Sequence, residues 1–600
     1  MSVTPATPRK FRVWRVFLAT WVIVFALLTC WVFASPLGAG PDEPAHIVKA
    51  YGVSHGDLAG RIDPALPGDR AFEVPGYIKD FTTMVGCYRF DPSMPGSCLG
   101  AIDNQPSEMV EVFSGAGSYN PVYYFLVGWP SYFLDGAKVI HGMRLASALL
   151  YSLGIAWGIT ALASRRRRSW TMLAAAVTLT PMSLFMGAVV NISSMELAAA
   201  FAMSASLIAL LDRGRRMPRT ALILGVLISG TLLANSRSVG PLWFVIIAAA
   251  LLIDGRLWRE LIRSKLFWGA VVLLGGVGGG AYLWMQRVGG SGAPSTLGWG
   301  AGVVTPREGI EYMLSRTLEH AAGYVGTFGW LDTRLPDTII LIWGGLLFAL
   351  VAAALLLGDG WGRVRTLVLT VALIAVPALL QGMSWYTHGH IWQDRYVLAI
   401  VFALTLCAGA TLDDAIPGLV HLYRGRTTMF LLLAGLLVMH GFAILWNLRR
   451  YVTGLDEPKV EWRKMLSEPL WEPSTPGGWP VLVVVFSFAA LAWVLLIARL
   501  SSRTSRNRRA RWRVASGAPQ VAVPTAPAVI APIVVESEVE PVERGTDTVP
   551  VASPAHADDD AAVRSEPDRD ENTAADEPSA DEAAEFEPVA PARADVDAEK

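Results

Sequence analysis

Two adjacent carboxylates, Asp42 and Glu43, lie in the run GPDEPAH that begins at residue 40, directly after an apolar segment at 14–35. Arg15 is the only charged residue within that segment, so the acidic pair is predicted to emerge at a membrane face. Charges at such a position are costly and usually face water or a cavity in the protein. The pair is therefore the first candidate for a functional site.

Two interpretations of the acidic pair stand side by side. Pro44 suits the first turn of a helix and Asp42 suits the preceding cap position, which gives the pair a structural role. On such a helix Glu43 and His46 share a face, and a carboxylate beside an imidazole can act as general acid or base or hold a metal ion. No second His or Cys follows at ligand spacing, so the pattern does not support a dedicated zinc site.

Composition places the chain in the membrane. Hydrophobic residues make up 53% of the 600 residues and charged residues 17%, whereas charged residues average about a quarter in soluble proteins. The sequence predicts an all-α membrane protein with a polytopic domain over residues 14–500, with membrane lipid as a partner and no nucleic acid. About twelve apolar runs approach the roughly 20 residues that a spanning helix needs: 14–35, 139–164, 169–190, 194–212, 219–236, 240–254, 266–286, 338–358, 363–384, 396–412, 426–447 and 479–500.

Basic residues predict the orientation of these helices. Lys and Arg concentrate in loops on the cytoplasmic side, and here every alternate loop is basic. We therefore expect a cell-membrane protein with both termini in the cytoplasm, including residues 1–13. Counting the apolar stretch 119–134 as a thirteenth span would move four arginines outside, so we interpret it as an interfacial or re-entrant helix. The basic clusters fall at 9–15, 165–168, 213–219, 256–265, 363–365, 424–426 and 503–513.

The long loops and the tail differ in character. Residues 36–138 and 287–337 form two long outer segments, and long loops in compact proteins tend to be functional. Cys87 and Cys98 share the first of them, where an oxidising outer face permits a disulfide.

Residues 501–600 are first basic and then acidic, and a segment so poor in aromatic residues cannot bury a core. We expect a disordered cytoplasmic tail, either a docking segment for a cytoplasmic partner or only a solubilising one.

Two arginines in predicted outer turns are candidates for binding a phosphate. Arg237 and Arg395 carry the planar guanidinium that suits forked hydrogen bonds to phosphate oxygens. The alternative is structural: each arginine pairs with a nearby carboxylate, such as Glu196 or Asp394, or reaches up to the lipid headgroups.

The order of several short motifs resembles the bacterial membrane proteins that carry domain of unknown function 2142. That family is similar in layout to the membrane glycosyltransferases of the GT-C type, which use sugars carried on polyprenyl phosphate at the outer face. The resemblance covers roughly residues 10–450, and only the combination of motifs is specific. The motifs are DEPAH at 42–46, NPVYY at 120–124, RL at 144–145, GWLD at 329–332 and DRYVL at 394–398.

The resemblance implies roles for individual residues. Asp42 matches the acidic residue proposed as base for the acceptor hydroxyl, with Glu43 as its neighbour, and Arg237 or Arg395 would hold the leaving phosphate. The NPVYY run lacks the first histidine and second proline of the family's usual run, and Asp394 replaces a glycine, which predicts that Asp394 neutralises Arg395. A divalent cation assists some of these enzymes, and the sequence leaves open whether one binds here. The other candidate substrate-binding residues are His46, Asn120, Tyr123 and Asp332.

The leading hypothesis is a cell-envelope glycosyltransferase that moves a sugar from a polyprenyl-phosphate donor to an acceptor at the outer face. A transporter or flippase of lipid-linked sugars would share the spans and the arginines, and it predicts broken helices in paired repeats. A non-catalytic membrane scaffold that recruits partners through its tail is the third hypothesis.

Overall fold

The structure, a computed structural model, describes residues 13–63, 68–102, 108–254, 262–289, 298–455 and 462–515, with side chains described as far as residue 502 except at 266. The predicted cytoplasmic N-terminus up to residue 12 and the acidic tail beyond residue 515 lie outside the described residues.

The described chain is mainly helical. Its α-helices, in chain order, are α1 Val13–Phe33, α2 Glu43–Ser54, α3 Gly76–Met84, α4 Val122–Gly128, α5 Ala137–Ala163, α6 Ser169–Thr178, α7 Pro181–Ala188, α8 Ser193–Leu211, α9 Arg219–Ala234, α10 Gly240–Leu251, α11 Lys265–Trp284, α12 Pro306–Ser315, α13 Ala321–Val325, α14 Asp337–Leu357, α15 Gly360–His388, α16 Leu398–Ala415, α17 Gly425–Thr453, α18 Trp462–Ser467 and α19 Gly478–Ala515.

Every predicted apolar run forms helix, which confirms a helical polytopic membrane protein. Within the described residues nine helices are long and apolar enough to cross a membrane. A tenth span is made of α6 and α7, which meet at an angle of 59° where Pro181 begins α7. The other two runs form α9 and α10, with 16 and 12 residues, which are shorter than a single span requires. The turn that contains Arg237 ends α9 early, which the hydropathy pattern does not reveal.

The last long helix also extends further than predicted. α19 continues to Ala515, beyond residue 500, where the tail was predicted to begin. The physical reason is that arginine favours helix, so the basic stretch prolongs the helix past its apolar part.

The first outer loop, at 36–138, folds against the helical domain. Its strands β1 Arg61–Ile62, β2 Arg70–Pro75 and β3 Met109–Ser114 form an antiparallel sheet in the order β1-β2-β3, and α2 packs against β2 and β3. A disulfide joins Cys87 and Cys98, whose Cα atoms are 6.0 Å apart. The second outer segment contains a two-stranded sheet of β4 Thr327–Phe328 and β5 Thr333–Arg334.

The stretch at 119–134 forms only the short α4 and a 3₁₀ turn at Trp129–Tyr132. One side of this segment is buried, with Tyr123 and Tyr124 inaccessible to solvent, while Phe125 and Phe133 are exposed. A segment of eleven residues that is apolar on both its buried and its exposed sides fits the predicted interfacial helix and is too short for a span.

Charged residues gather at both ends of the helical domain. Residues at the predicted outer ends of the helices contact one another, as Arg144 of α5 does with Glu43. The predicted cytoplasmic ends do the same, as in the ion pair between Arg165 and Asp414. Each of these two pairs joins helix ends that the basic loops predict to lie on the same side, and we call the end with Glu43 the outer end and the other the inner end.

Gly128 allows α4 to pack closely against α2. A Cβ atom at this position would overlap the Ala50 carbonyl oxygen and Ser54 Oγ, although the backbone of Gly128 is in the right-handed helical region. Gly128→Ala should therefore lower the free energy of unfolding by about 1–3 kcal/mol, as overpacking usually does. Thermal denaturation of the purified protein in detergent measures this. Gly86→Ala is the matched control, because a Cβ there meets nothing within 4 Å. Equal stability of the two variants would contradict the prediction.

Candidate functional site

Glu43 is held by Arg144 in a fully buried ion pair. Arg144 Nε and Nη2 donate to the two carboxylate oxygens at 2.7 and 2.6 Å, and both side chains have no solvent exposure. Glu43 also accepts from the backbone N–H groups of Gly40 and Val190, at 3.1 and 2.9 Å. Arg144 donates further to three carbonyl oxygens at the end of α1. Glu43 therefore ties α1, α5 and the end of α7 together, and its oxygens face protein donors rather than a substrate.

Asp42 points the other way from its neighbour. Its φ of 61° lies in the left-handed region, and its side chain is 51% exposed. Asp42 occupies the cap position of α2, but its carboxylate makes no capping hydrogen bond. Instead, Oδ2 accepts from Arg395 Nη2 at 2.9 Å. Capping therefore does not account for the Asp42 carboxylate, which combines exposure with a buried cationic partner.

The charge on Asp42 is favoured by its surroundings. Desolvation raises the pKa of this carboxyl, but the charges of Arg395 and Arg237 and the hydrogen bond from Arg395 help to outweigh it, so that the net shift is downward from 3.8. Asp42 is consequently a carboxylate at neutral pH.

Arg395 is not neutralised by Asp394, contrary to prediction. Asp394 accepts from His320 Nδ1 at 2.5 Å, whereas Arg395 reaches Asp42 across the site. The two side chains lie on a 3₁₀ turn at Asp394–Val397, where consecutive residues point in different directions. Arg395 is buried, and within the described part of the chain its Nε makes no hydrogen bond. This guanidinium retains a donor that an anion can use.

Arg237 lies in an aromatic setting beside Asp42. Its guanidinium carbon is 3.9 Å from the centre of the Tyr396 ring and 5.8 Å from that of Tyr119. Nη1 donates to Ser193 Oγ at 3.1 Å. Glu196, the predicted partner, lies one turn further along α8 and contributes charge, but among the described residues no ion pair joins it to Arg237.

His46 and Lys49 extend the site along α2. His46 Nδ1 shares a hydrogen bond of 2.7 Å with the Tyr124 hydroxyl, and its ring stacks on Tyr119 and Tyr124. Burial lowers the pKa of His46 to about 3. Lys49 Nζ donates to the carbonyl oxygens of Gly117 and Tyr119, both at 2.5 Å, and burial lowers its pKa to about 7. His46 is therefore neutral and orients Tyr124, while Lys49 fixes the loop that carries Tyr119.

Asn120 and Tyr123 are engaged in structural contacts. Asn120 Oδ1 accepts from the backbone N–H of Val122 at 3.1 Å, and its amide donates to Asn235 at 2.8 Å. Tyr123 is fully buried and hydrogen-bonds Ser147 at 3.0 Å. These contacts start α4 and attach it to the spans, so that neither side chain is directed at the Asp42 carboxylate.

Asp332 belongs to a different ion cluster from Asp42. It lies 3.7 Å from Arg450 Nη2 and accepts from Thr333 at 2.9 Å. Arg450 also donates to backbone carbonyls of Tyr88, Asp91 and Met94. Asp332 therefore helps to fasten the two outer segments to α17.

Sequence reasoning missed several residues of the site. Arg144 was noted only as part of a motif, although a lone arginine near the start of an apolar helix signals a buried partner. Lys49 was detectable by its helical spacing from Asp42 and His46, at positions 42, 46 and 49 on one helix face. No group of three or more His, Cys, Asp or Glu side chains within the described ranges is arranged to hold a metal ion. The sequence does not single out as site residues three further side chains that contact Arg237: Tyr119, Ser193 and Tyr396.

A family model described as a predicted membrane protein (DUF2142) matches residues 25–404, more than half of the chain. The chain belongs to this family. The resemblance read from its motifs is thus confirmed for this DUF2142 protein. No curated protein sequence is significantly similar to it. A solved structure of ArnT from Cupriavidus metallidurans, bound to undecaprenyl phosphate, is similar at 14% identity with a TM-score of 0.40, covering 86% of this chain and 82% of that one.

Substitution of Glu43 should destabilise this DUF2142 protein. Glu43→Gln removes the charge that compensates the buried Arg144, and breaking a buried pair from one side typically costs about 3–5 kcal/mol. Thermal denaturation in detergent measures the loss. Glu111→Gln is the matched control, because the ion pair of Glu111 with Arg61 is exposed and should contribute no more than about 1 kcal/mol. A Glu43→Gln protein as stable as the control would refute the structural role.

His46 should make stability depend on pH. Its folded pKa of about 3 lies below the ordinary value of 6.5, so the unfolded chain binds a proton first as the pH falls. The stability due to neutral His46 is complete above pH 6.5 and is lost progressively toward pH 3. Between pH 7 and pH 5 the wild type should lose about 2 kcal/mol more than His46→Gln. Melting curves at the two pH values test this, and parallel losses in both proteins would contradict it.

Proposed function

We propose that this protein is a cell-envelope glycosyltransferase that moves a sugar from a polyprenyl-phosphate donor to an acceptor hydroxyl at the outer face. One observation carries the proposal: the exposed carboxylate of Asp42 lies 2.9 Å from the buried guanidinium of Arg395, with Arg237 beside it. A base and two cations in one place are what transfer from a phosphate leaving group requires.

The charges of the site favour an anionic donor. Asp42 offsets one of the two buried arginines, and Asp394 is occupied by His320. Arg237 forms no ion pair with a described carboxylate, although Glu196 contributes charge from α8, and a bound phosphate would supply such a partner. The unpaired Nε of Arg395 offers the phosphate a hydrogen bond. We infer that Arg395 and Arg237 bind the donor phosphate and stabilise the charge that it gains when it leaves.

The same arrangement gives Asp42 its role as base. The acceptor oxygen attacks the anomeric carbon, the bond from that carbon to the phosphate oxygen breaks with its electron pair going to the phosphate, and the acceptor proton passes to Asp42. When the phosphate engages Arg395, this arginine supports the Asp42 anion less, so the pKa of Asp42 should rise toward that of an effective proton acceptor. Glu43, predicted as a second catalytic carboxylate, instead holds the turn that presents Asp42.

The outer segment supplies a surface for a lipid-linked donor. Phe125 of α4, Trp129 of the following 3₁₀ turn and Phe133 directly after it are exposed, while Tyr124 of α4 contacts His46. Exposed aromatic side chains at this depth are typical of the membrane interface. We infer that this segment rests in the outer leaflet and delivers the polyprenyl phosphate to the arginines beside it.

A transporter of lipid-linked sugars is the second candidate, because α6 and α7 form a broken span near the site. Met186 of α7 contacts Arg395 Nη1 at 4.0 Å, which links the break to the phosphate-binding group. Paired repeats would call for a second broken span, and α6 with α7 is the one bent pair among the described helices. Movement of labelled lipid-linked sugar across a vesicle membrane without transfer would favour this candidate.

The test of the transferase is sugar transfer by the full-length protein in lipid vesicles. A panel of labelled polyprenyl-phosphate sugars is incubated with the wild type and with Asp42→Asn. We expect transfer by the wild type and a loss of about a hundredfold or more in kcat for Asp42→Asn, because general-base catalysis contributes on that scale. Arg395→Gln should raise the KM for the donor and also lower kcat, because Arg395 is proposed both to bind the phosphate and to stabilise its charge as it leaves.

Asp337→Asn is the matched control, since Asp337 is an exposed aspartate at the outer end that pairs with Arg334 at 2.7 Å. Its activity should equal that of the wild type. The proposal fails if no donor of the panel is used, or if Asp42→Asn and Asp337→Asn transfer sugar equally well.

A further inference from the structure

A small cavity opens at the inner end, away from Asp42 and its partners. Its volume is about 190 Å³, and it is lined by residues of α8, α10, α15 and α16 and by Arg165 in the turn after α5. This is below the roughly 300–1,000 Å³ of sites for drug-sized ligands, so it suits a small polar group. Its polar side chains are those of Arg165, Asp359, Arg365, Thr411 and Asp414.

Two arginines present unused donors in this cavity. Arg165 is buried, and its Nη1 and Nη2 bind Thr171 and Asp414 at 2.9 and 3.0 Å. Its Nε makes no hydrogen bond with any described residue, and neither does Nε of Arg365, whose Nη2 forms an ion pair with Asp254 at 3.5 Å. Buried polar atoms without partners call for a ligand or an ordered water.

The N-terminus of α15 lies at the same cavity. The first residues of this 29-residue helix, Gly360 to Gly362, line it, and the side chain of the cap residue Asp359 forms no capping hydrogen bond. The first N–H groups of a helix lack internal partners and carry partial positive charge, which favours a phosphate. Together with Arg165 and Arg365 they form a cationic half of the cavity.

Carboxylates form the other half. Asp359 is exposed, and within the described residues its side chain makes no hydrogen bond or ion pair. Asp414 uses one oxygen for Arg165, and its side chain remains 65% exposed. A ligand with only negative charge would be repelled by these two groups. A ligand that carries an ammonium group next to its phosphate would satisfy both halves.

We propose that this cavity binds a phosphate ester with an adjoining primary ammonium, as in the headgroup of phosphatidylethanolamine. The phosphate would accept from Arg165, Arg365 and the α15 amides, and the ammonium would donate to Asp359 and Asp414. A quaternary ammonium has no N–H to donate, so phosphatidylcholine fits less well. The cavity lies at the ends of four helices, on the side that the basic loops predict to face the headgroups of the cytoplasmic leaflet. This site does not depend on the proposed transferase activity.

Lipid binding to the purified full-length protein tests the proposal. The delipidated protein in detergent is titrated with phosphatidylethanolamine, phosphatidylcholine or phosphatidylglycerol, and bound lipid is counted by native mass spectrometry. We expect phosphatidylethanolamine to bind about tenfold more tightly than the other two, which is the scale of one charge-assisted hydrogen bond. Arg365→Gln should lower its affinity by about tenfold, and Asp359→Asn should abolish the preference over phosphatidylglycerol.

Arg363→Gln is the matched control, because Arg363 binds carbonyl oxygens of Leu356 and Gly358 and does not line the cavity. It should bind phosphatidylethanolamine as the wild type does. Equal binding of the three lipids, or an unchanged preference in both cavity variants, would overturn the proposal. Asp359 is exposed, whereas only 12% of the Arg365 side chain is exposed, so melting curves verify that both variants fold.

A final experiment distinguishes binding of the lipid from binding of a soluble ligand that carries the same headgroup. Soluble phosphoethanolamine is added in competition with phosphatidylethanolamine. Displacement of the lipid identifies the headgroup itself as the recognised unit and admits a soluble source. Retention of the lipid, with its preference intact, identifies phosphatidylethanolamine as the ligand. Both results support the site.

Discussion

The buried pair of Glu43 and Arg144 is the interaction on which the outer end depends. Two charges removed from water are stable only when their hydrogen bonds are satisfied. Here the Glu43 carboxylate accepts four hydrogen bonds and the Arg144 guanidinium donates five, two of which join the pair to each other. Those bonds fix the end of α1, the start of α5 and the turn after α7 in one arrangement. The turn that carries Asp42 is held between them.

This anchoring explains how adjacent carboxylates acquire opposite roles. Glu43 begins α2 and points into the protein, while the left-handed backbone at Asp42 turns its side chain outward. A non-glycine residue in that conformation is strained, and strain persists only where the surroundings hold it. The result is an exposed carboxylate fixed beside two buried arginines, which is the basis for proposing acid–base and phosphate chemistry here.

Both ends of the domain contain buried arginines, but the residues around these arginines differ. At the outer end, Arg237 lies against the rings of Tyr119 and Tyr396 and Arg395 lies near the ring of Tyr396, and within the described residues Arg395 alone of the two forms an ion pair, with Asp42. At the inner end, two arginines and two aspartates line one cavity. The first setting suits an anion, and the second suits a ligand that carries both charges. In both, the apolar spans supply the low dielectric that makes unpartnered charges matter.

The sequence by itself determined the membrane class, the apolar runs that form helices, the disulfide pair and the acidic pair at a predicted membrane face, because hydropathy, basic loops and cysteine placement are local signals. Tertiary structure decided which carboxylate is buried, since Arg144 is 101 residues from Glu43 and Arg395 is 353 from Asp42. It also assigned Asp394 to His320 and Asp332 to Arg450. Such pairings depend on which helix ends meet, and helix ends meet through packing of the spans, which the order of residues along the chain does not encode locally.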